Sequence, residues 1–284
     1  MSRAYNFSAG PAVLPLEVLQ DAQKDLVDYK GCGMSVMEMS HRGKDYDAIH
    51  QEAIATFKEL CGLGDDWAVC FIQGGASMQF AMIPMNFLPK GGAADYAKQG
   101  TWSNKALKQA QMIGTVNVVA NCQKDIPTRM PADDEFKWTP GAAYSHICLN
   151  ETISGAEMKE IPETGSPLIG DMSSDILSCE RDYSKFAMFY AGAQKNLGPS
   201  GMAVVAIRKE FAEKGSSMMV SDAGTGVTFC QAAMRGAAIN VKVNTKLMKD
   251  RAHAEEMNRH VDELMAKYIP LADEVFESVY GRFN

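Results

Sequence analysis

The stretch Ala191-Gly192-Ala193-Gln194-Lys195-Asn196-Leu197-Gly198-Pro199-Ser200-Gly201 decides the fold. An apolar run over 188–191 leads into it, and a second over 202–207 follows Gly201 directly. Two short apolar runs around a loop of small residues read as neighbouring strands joined at one edge of a sheet. A loop lysine is ordinarily a solvated surface charge. Here the small neighbours leave room for a bulky group to approach the backbone. Strand ends would also hold the amine where α/β sheets bind ligands. An amine taken out of water becomes nucleophilic, because burial disfavours its charged form.

Working outward, the same rhythm recurs. Apolar runs at 67–72, 116–120, 143–149 and 168–171 are expected strands. Helices are expected where Val18, Leu19, Ala22 and Leu26 share a face, over 46–61, and over 78–87. Gly31 and Gly62 stop the first two. Strands separated by helices predict an α/β fold with a mostly parallel sheet. Residues 1–15 read as an arm, 16–245 as one large domain, and 246–284 as a short helical C-terminal segment with charged residues around an apolar stripe.

Two further stretches carry candidate chemistry. Asp171 ends an expected strand, 24 residues before Lys195. It reads as a turn or N-cap aspartate, or as a carboxylate held against a cationic ring nitrogen. Gln73-Gly74-Gly75-Ala76-Ser77-Met78 links a strand to an apolar helix, and amides at such a helix start suit a phosphate. Many Gly-Gly turns bind nothing.

Bulk properties exclude other classes. Among 284 residues the net charge is -7, with acidic and basic residues interleaved, which is not a nucleic-acid surface. No apolar run approaches the length of a membrane span. The first residues carry no apolar signal core, so a cytoplasmic location is expected. Seven cysteines at wide spacing, without a C-x-x-C pair, predict reduced thiols and no metal site.

The wording of the motifs resembles the phosphoserine aminotransferases, a branch of the class V aminotransferases among the fold-type I pyridoxal-phosphate (PLP) enzymes. The strings that carry it are Asn6-Phe7-Ser8-Ala9-Gly10-Pro11, Ser35-Val36-Met37-Glu38-Met39-Ser40-His41-Arg42-Gly43, Gly74-Gly75-Ala76-Ser77-Met78-Gln79-Phe80, and Ala94-Asp95-Tyr96 with Trp102-Ser103. Asn150-Glu151-Thr152-Ile153, Asp171-Met172-Ser173-Ser174-Asp175-Ile176-Leu177-Ser178 and the lysine stretch complete it, in family order over residues 5 to about 210. The resemblance implies an aspartate-aminotransferase-like large domain and a PLP cofactor. Lys195 matches the Schiff-base lysine, Asp171 the partner of the pyridine nitrogen, and Trp102 the aromatic stacked on the ring. Thr152 matches a hydroxyl near the ring oxygen; Ala76, Ser77 and Gln194 match the phosphate cup. Ser8 or Ala9 matches an arm over the substrate, and His41 with Arg42 an anion-binding pair.

The implied reaction interconverts 3-phosphohydroxypyruvate plus glutamate with O-phosphoserine plus 2-oxoglutarate, in serine biosynthesis, by a homodimer. After residue 246 the wording departs from the family. Its Asn-Thr-Pro-Pro-Thr stretch, which reaches the neighbouring subunit's cofactor, has Asn244-Thr245 followed by Lys246-Leu247 as the nearest counterpart. A reduced small domain is therefore expected, and two alternatives stand. One is a same-fold PLP enzyme of other specificity, for example a desulfurase using Cys179 or Cys230. The other is a catalytically impaired homologue kept for binding or structure.

Overall fold

The computed structural model describes residues 3–122, 129–215 and 217–280, with side chains of 217–230 and 278–280 left undescribed. The chain divides into two compact units, Met1–Lys214 and Gly215–Asn284.

The first unit opens with an exposed arm and helix α1 (Leu16–Asp25), followed by α2 (Lys44–Cys61). Gly62 ends α2 in the left-handed region, its amide reaching back to the carbonyls of Lys58 and Glu59. Then come β1 (Trp67–Gln73), α3 (Gly75–Phe87), β2 (Ala93–Lys98), α4 (Thr101–Ile113) and β3 (Thr115–Asn121). The chain continues through β4 (Ser145–Cys148), a small hairpin of β5 (Asn150–Glu151) and β6 (Ala156–Glu157), and β7 (Leu168–Asp171). It ends with β8 (Met188–Gly192), β9 (Met202–Arg208) and the short α5 (Lys209–Ala212).

The main sheet has the order β1-β9-β8-β7-β4-β2-β3. Every neighbouring pair is parallel except the two made by β9. Parallel strands place their carboxyl ends on one edge, so Gln73, Cys148, Asp171 and Gly192 finish on the same side as the start of β9. The strand β8 is buried along its whole length, and its side chains alternate between two apolar clusters. Phe189 and Ala191 join Phe57, Trp67 and Phe186 on one face; Met188 and Tyr190 join Phe80, Tyr96 and Tyr144 on the other. Each such large side chain taken from water contributes about 1.5–3 kcal/mol. That rigidity fixes where the loop after β8 begins.

Three differences from the expected elements have physical causes. The strand β2, Ala-Ala-Asp-Tyr-Ala-Lys, lacks a β-branched run, yet residues 94–97 are buried. The structure tolerates Asp95 there because its carboxylate accepts from Asn117 Nδ2 at 3.0 Å and Thr139 N at 2.7 Å. Helix α3 begins at Gly75 rather than 78, since Gly74 (φ +95°) turns the chain before the apolar periodicity starts.

The second unit starts earlier than 246. Its helix α6 (Ser217–Leu247) contains Gly224 and Gly226, which dilute the helical pattern, and α7 (Arg251–Tyr280) follows. Thr245 is buried inside this unit, bonded to Asn258 Oδ1 at 2.9 Å and Lys242 O at 3.1 Å. The Asn244-Thr245 pair is thus part of a helix rather than of an extended reaching segment.

Candidate active site

Asp171 is the last residue of β7, and the register sets it beside Cys148 of β4 and Tyr190 of β8. Its Oδ1 accepts from the Ser173 amide at 3.0 Å and hydroxyl at 2.6 Å. The Ser173 oxygen in turn accepts from Gly192 N at 3.0 Å, which ties the turn after β7 to the end of β8. Burial pushes the Asp171 carboxyl up, while the Ser173 bonds and then the Lys195 charge pull it down.

Lys195 stands in the turn after β8, half-buried. Loss of hydration lowers its proton affinity, and the carboxylate of Asp171 is the largest influence in the other direction. Its Nζ donates to Thr152 Oγ1. That hydroxyl donates to Ser174 Oγ, and Ser174 Oγ to the Asn150 carbonyl, both at 3.0 Å. The Trp102 ring lies on another side, its centroid 4.8 Å from Nζ.

The opposite wall is the start of α3. Gly74 and Gly75 both hold positive φ, and no side chain caps the helix. Its first amides, with the Ser77 hydroxyl, are therefore left for a ligand. Gly192 allows this wall to come close: a Cβ there would sit 3.3 Å from the Ala76 amide nitrogen.

One cleft brings together Ala76, Ser77, Trp102, Asp171, Gln194 and Lys195. Thr152 joins through its bond to Lys195. The arm crosses the lysine turn, with Ala12 N donating to Gln194 O at 2.9 Å, and a Cβ on Gly10 would stand 2.9 Å from Lys195 Cγ. Ser8 and Ala9 are exposed on that arm. His41 and Arg42 are also exposed and do not line the cleft. Cys179 is exposed and outside the cleft; the Cys230 side chain lies outside the described residues.

Cys148, Asn150 and Ser173 line the cleft beyond the residues singled out from sequence. Asn150 and Ser173 were within reach, since both stand in the motif strings beside assigned positions. Glu151 also went unassigned: its carboxylate accepts from Trp102 N at 2.9 Å and Ser103 N at 2.8 Å. Among the described residues no group of three His, Cys, Asp or Glu could hold a metal, and no helix is long and apolar enough to cross a membrane.

The donor set has a definite chemistry. A buried carboxylate, a poorly hydrated amine, an indole face and an uncapped helix start suit a flat cationic ring that carries an aldehyde and a phosphate.

Comparison with known proteins gives the same picture. The class-V aminotransferase family profile matches residues 4–266. The phosphoserine aminotransferase of Niallia circulans is 56% identical over 210 residues, covering 74% of this chain and 58% of that protein. The solved phosphoserine aminotransferase of Bacillus circulans subsp. alkalophilus superposes with a TM-score of 0.74 at 53% identity, covering 76% of this chain and 60% of that one. The PLP-bound phosphoserine aminotransferase of Trichomonas vaginalis gives 0.71 at 43%, covering 74% and 60%. The chain thus spans 58% to 60% of the length of these three proteins.

Proposed function

This chain belongs to the class-V aminotransferase family, and on that premise we propose that it binds pyridoxal 5'-phosphate and transaminates O-phosphoserine with 2-oxoglutarate. The observation that carries the reading is the Lys195 amine, short of water and bonded to Thr152, in one cleft with Asp171, Trp102 and the open start of α3. When bound, the cofactor supplies an aldehyde for the amine and a ring that withdraws electrons.

This chain's residues do the rest. Asp171 keeps a proton on the ring nitrogen, because a buried carboxylate favours a cation beside it. The amides of Gly75, Ala76 and Ser77, the Ser77 hydroxyl and Gln194 hold the phosphate. Trp102 and Thr152, both against the Lys195 amine, would hold the ring. Lys195 Nζ moves the proton at the substrate Cα. Ser8 or Ala9 closes over the substrate; His41 and Arg42, which do not line this cleft, are assigned to its anionic groups by the family resemblance, Arg42 through its two-pronged guanidinium.

The implied setting is serine biosynthesis in the cytoplasm, by a homodimer, with residues 16–214 as the cofactor-binding body. The relatives named phosphoserine aminotransferase and the fit of the donor set support this reading.

The test is an absorbance titration with pyridoxal phosphate, beside a coupled assay of phosphoserine plus 2-oxoglutarate. A visible band that Lys195→Ala abolishes, with glutamate formed, is the expected outcome. Protein that stays colourless at millimolar cofactor would overturn the cofactor assignment. A band without glutamate formation would overturn the substrate assignment.

A further inference from the structure

Trp102 stands in the first turn of helix α4, and no side chain of that helix accepts from the amides of Trp102 and Ser103. Their acceptor comes from 49 and 48 residues away. Both carboxylate oxygens of Glu151 are engaged, Oε2 with Trp102 N at 2.9 Å and Oε1 with Ser103 N at 2.8 Å. The side chain is buried, with 1% of its surface exposed. Two amides at a helix start, added to the helix dipole, stabilise a carboxylate that would otherwise be costly to bury.

Room for this group is made by Gly100, where a Cβ would lie 2.6 Å from Glu151 Cδ. Ser103 completes the knot. Its hydroxyl donates to Gly100 O at 3.2 Å and accepts from the amides of Gln99 at 2.9 Å and Gly100 at 2.8 Å. Glu151 also stands next in the chain to Thr152, whose hydroxyl receives the Lys195 amine. One rigid dipeptide therefore reaches both sides of that amine: Thr152 bonds it directly, and Glu151 fixes the indole that faces it at 4.8 Å.

We propose that Glu151 is a positioning residue, whose buried carboxylate sets the Trp102 indole in register with Thr152 and Lys195, and that Gly100 is required to admit it. The functional consequence rests on the aminotransferase reading; the geometry does not. Glu151→Gln keeps the shape but turns an N–H donor toward one of the two amides, so one bond is replaced by a clash of donors. Gly100→Ala displaces the carboxylate with no change of charge. Both variants are predicted to free the first turn of α4 and let the indole swing away from the lysine.

The decisive measurement needs no cofactor. Hydrogen exchange at Trp102 N and Ser103 N in the unmodified whole chain should be slow for first-turn amides, which in an uncapped helix exchange rapidly. In Glu151→Gln and Gly100→Ala both amides should exchange about tenfold faster. Trp102 emission, taken as the difference from Trp102→Phe, should move to longer wavelength. Pyridoxal phosphate should bind about tenfold more weakly and quench that emission less.

Leu107→Ala, which removes a buried side chain from the same helix, is the control. It should lower the unfolding temperature while leaving the two amides and the emission as they were. Rapid exchange of both amides in the unmodified chain overturns the proposal even if neither variant folds. Wild-type exchange and emission in Glu151→Gln do so as well. If the amides are protected but the chain takes up no pyridoxal phosphate, the positioning stands and the aminotransferase reading fails.

Discussion

Lys195 and Asp171 bear on each other's protons across the cleft. Burial pulls the amine down and pushes the carboxyl up, and each partner's charge opposes the other's shift. In Asp171→Asn the lysine loses its strongest upward influence, so its proton affinity must fall further below that of an ordinary lysine. The midpoint for its reaction with a small aldehyde, followed against pH, is expected to move to lower pH. Turnover of the cofactor-loaded protein should meanwhile fall about a hundredfold or more, since the ring nitrogen would lose the carboxylate proposed to hold its proton. A midpoint that stays put or rises would contradict the shared cleft. Lys195 and Asp171 were legible as a pair from their strand-end positions and motif wording. The hydroxyl chain through Thr152, Ser174 and Asn150 was not, because it depends on two turns meeting in space.

Among elements, the turn into α3 is the one proposed to take the cofactor's phosphate. Gly74 holds φ +95°, and a Cβ there would meet Met78 Cγ at 2.7 Å. Gly74→Ala must therefore deform the turn that aims the first amides of α3. We expect pyridoxal phosphate affinity to drop about tenfold or more, while pyridoxal, which lacks the phosphate, loses much less. Equal losses for the two ligands, measured by titration, would separate this helix start from the phosphate. The Gly-Gly turn was visible in sequence, but as a turn of uncertain use. Its uncapped helix start, in the cleft with Lys195, supports the phosphate assignment. Helix α6 was hidden because Gly224 and Gly226 interrupt the apolar periodicity of its sequence.

For the molecule as a whole, acid should be a selective stress. His146 is buried and stacked on Tyr96 at 4.8 Å, with Nε2 3.0 Å from the Tyr190 hydroxyl. Loss of hydration depresses its pKa from 6.5 to about 3. The sign follows: an unfolded chain takes up this proton and the folded one does not. The histidine's contribution is therefore complete above about pH 6.5 and is lost as pH falls toward 3, at about 1.4 kcal/mol per pH unit. Asp175, raised to about 6 by burial, works the other way. The difference between the unmodified chain and His146→Gln isolates the histidine. Chemical unfolding at pH 7 and pH 5 should show the variant losing less stability over that interval. An equal loss would mean that His146 is not held neutral.

The sequence by itself determined the α/β alternation, most strand positions, the family resemblance and the residues able to carry chemistry. These are encoded in short stretches, where periodicity, turn formers and motif wording act over a few neighbouring residues. Only the tertiary structure decided which of those stretches meet. Strand order brings Asp171, Lys195 and the start of α3 to one edge, and it sets Glu151 against amides 49 and 48 residues away. It also buries Asp95 in β2, and the packing of α6 on α7 commits Thr245 to Asn258. Partners so distant in the chain are chosen by burial and by the demand that each buried polar group be bonded, and no local pattern records that choice.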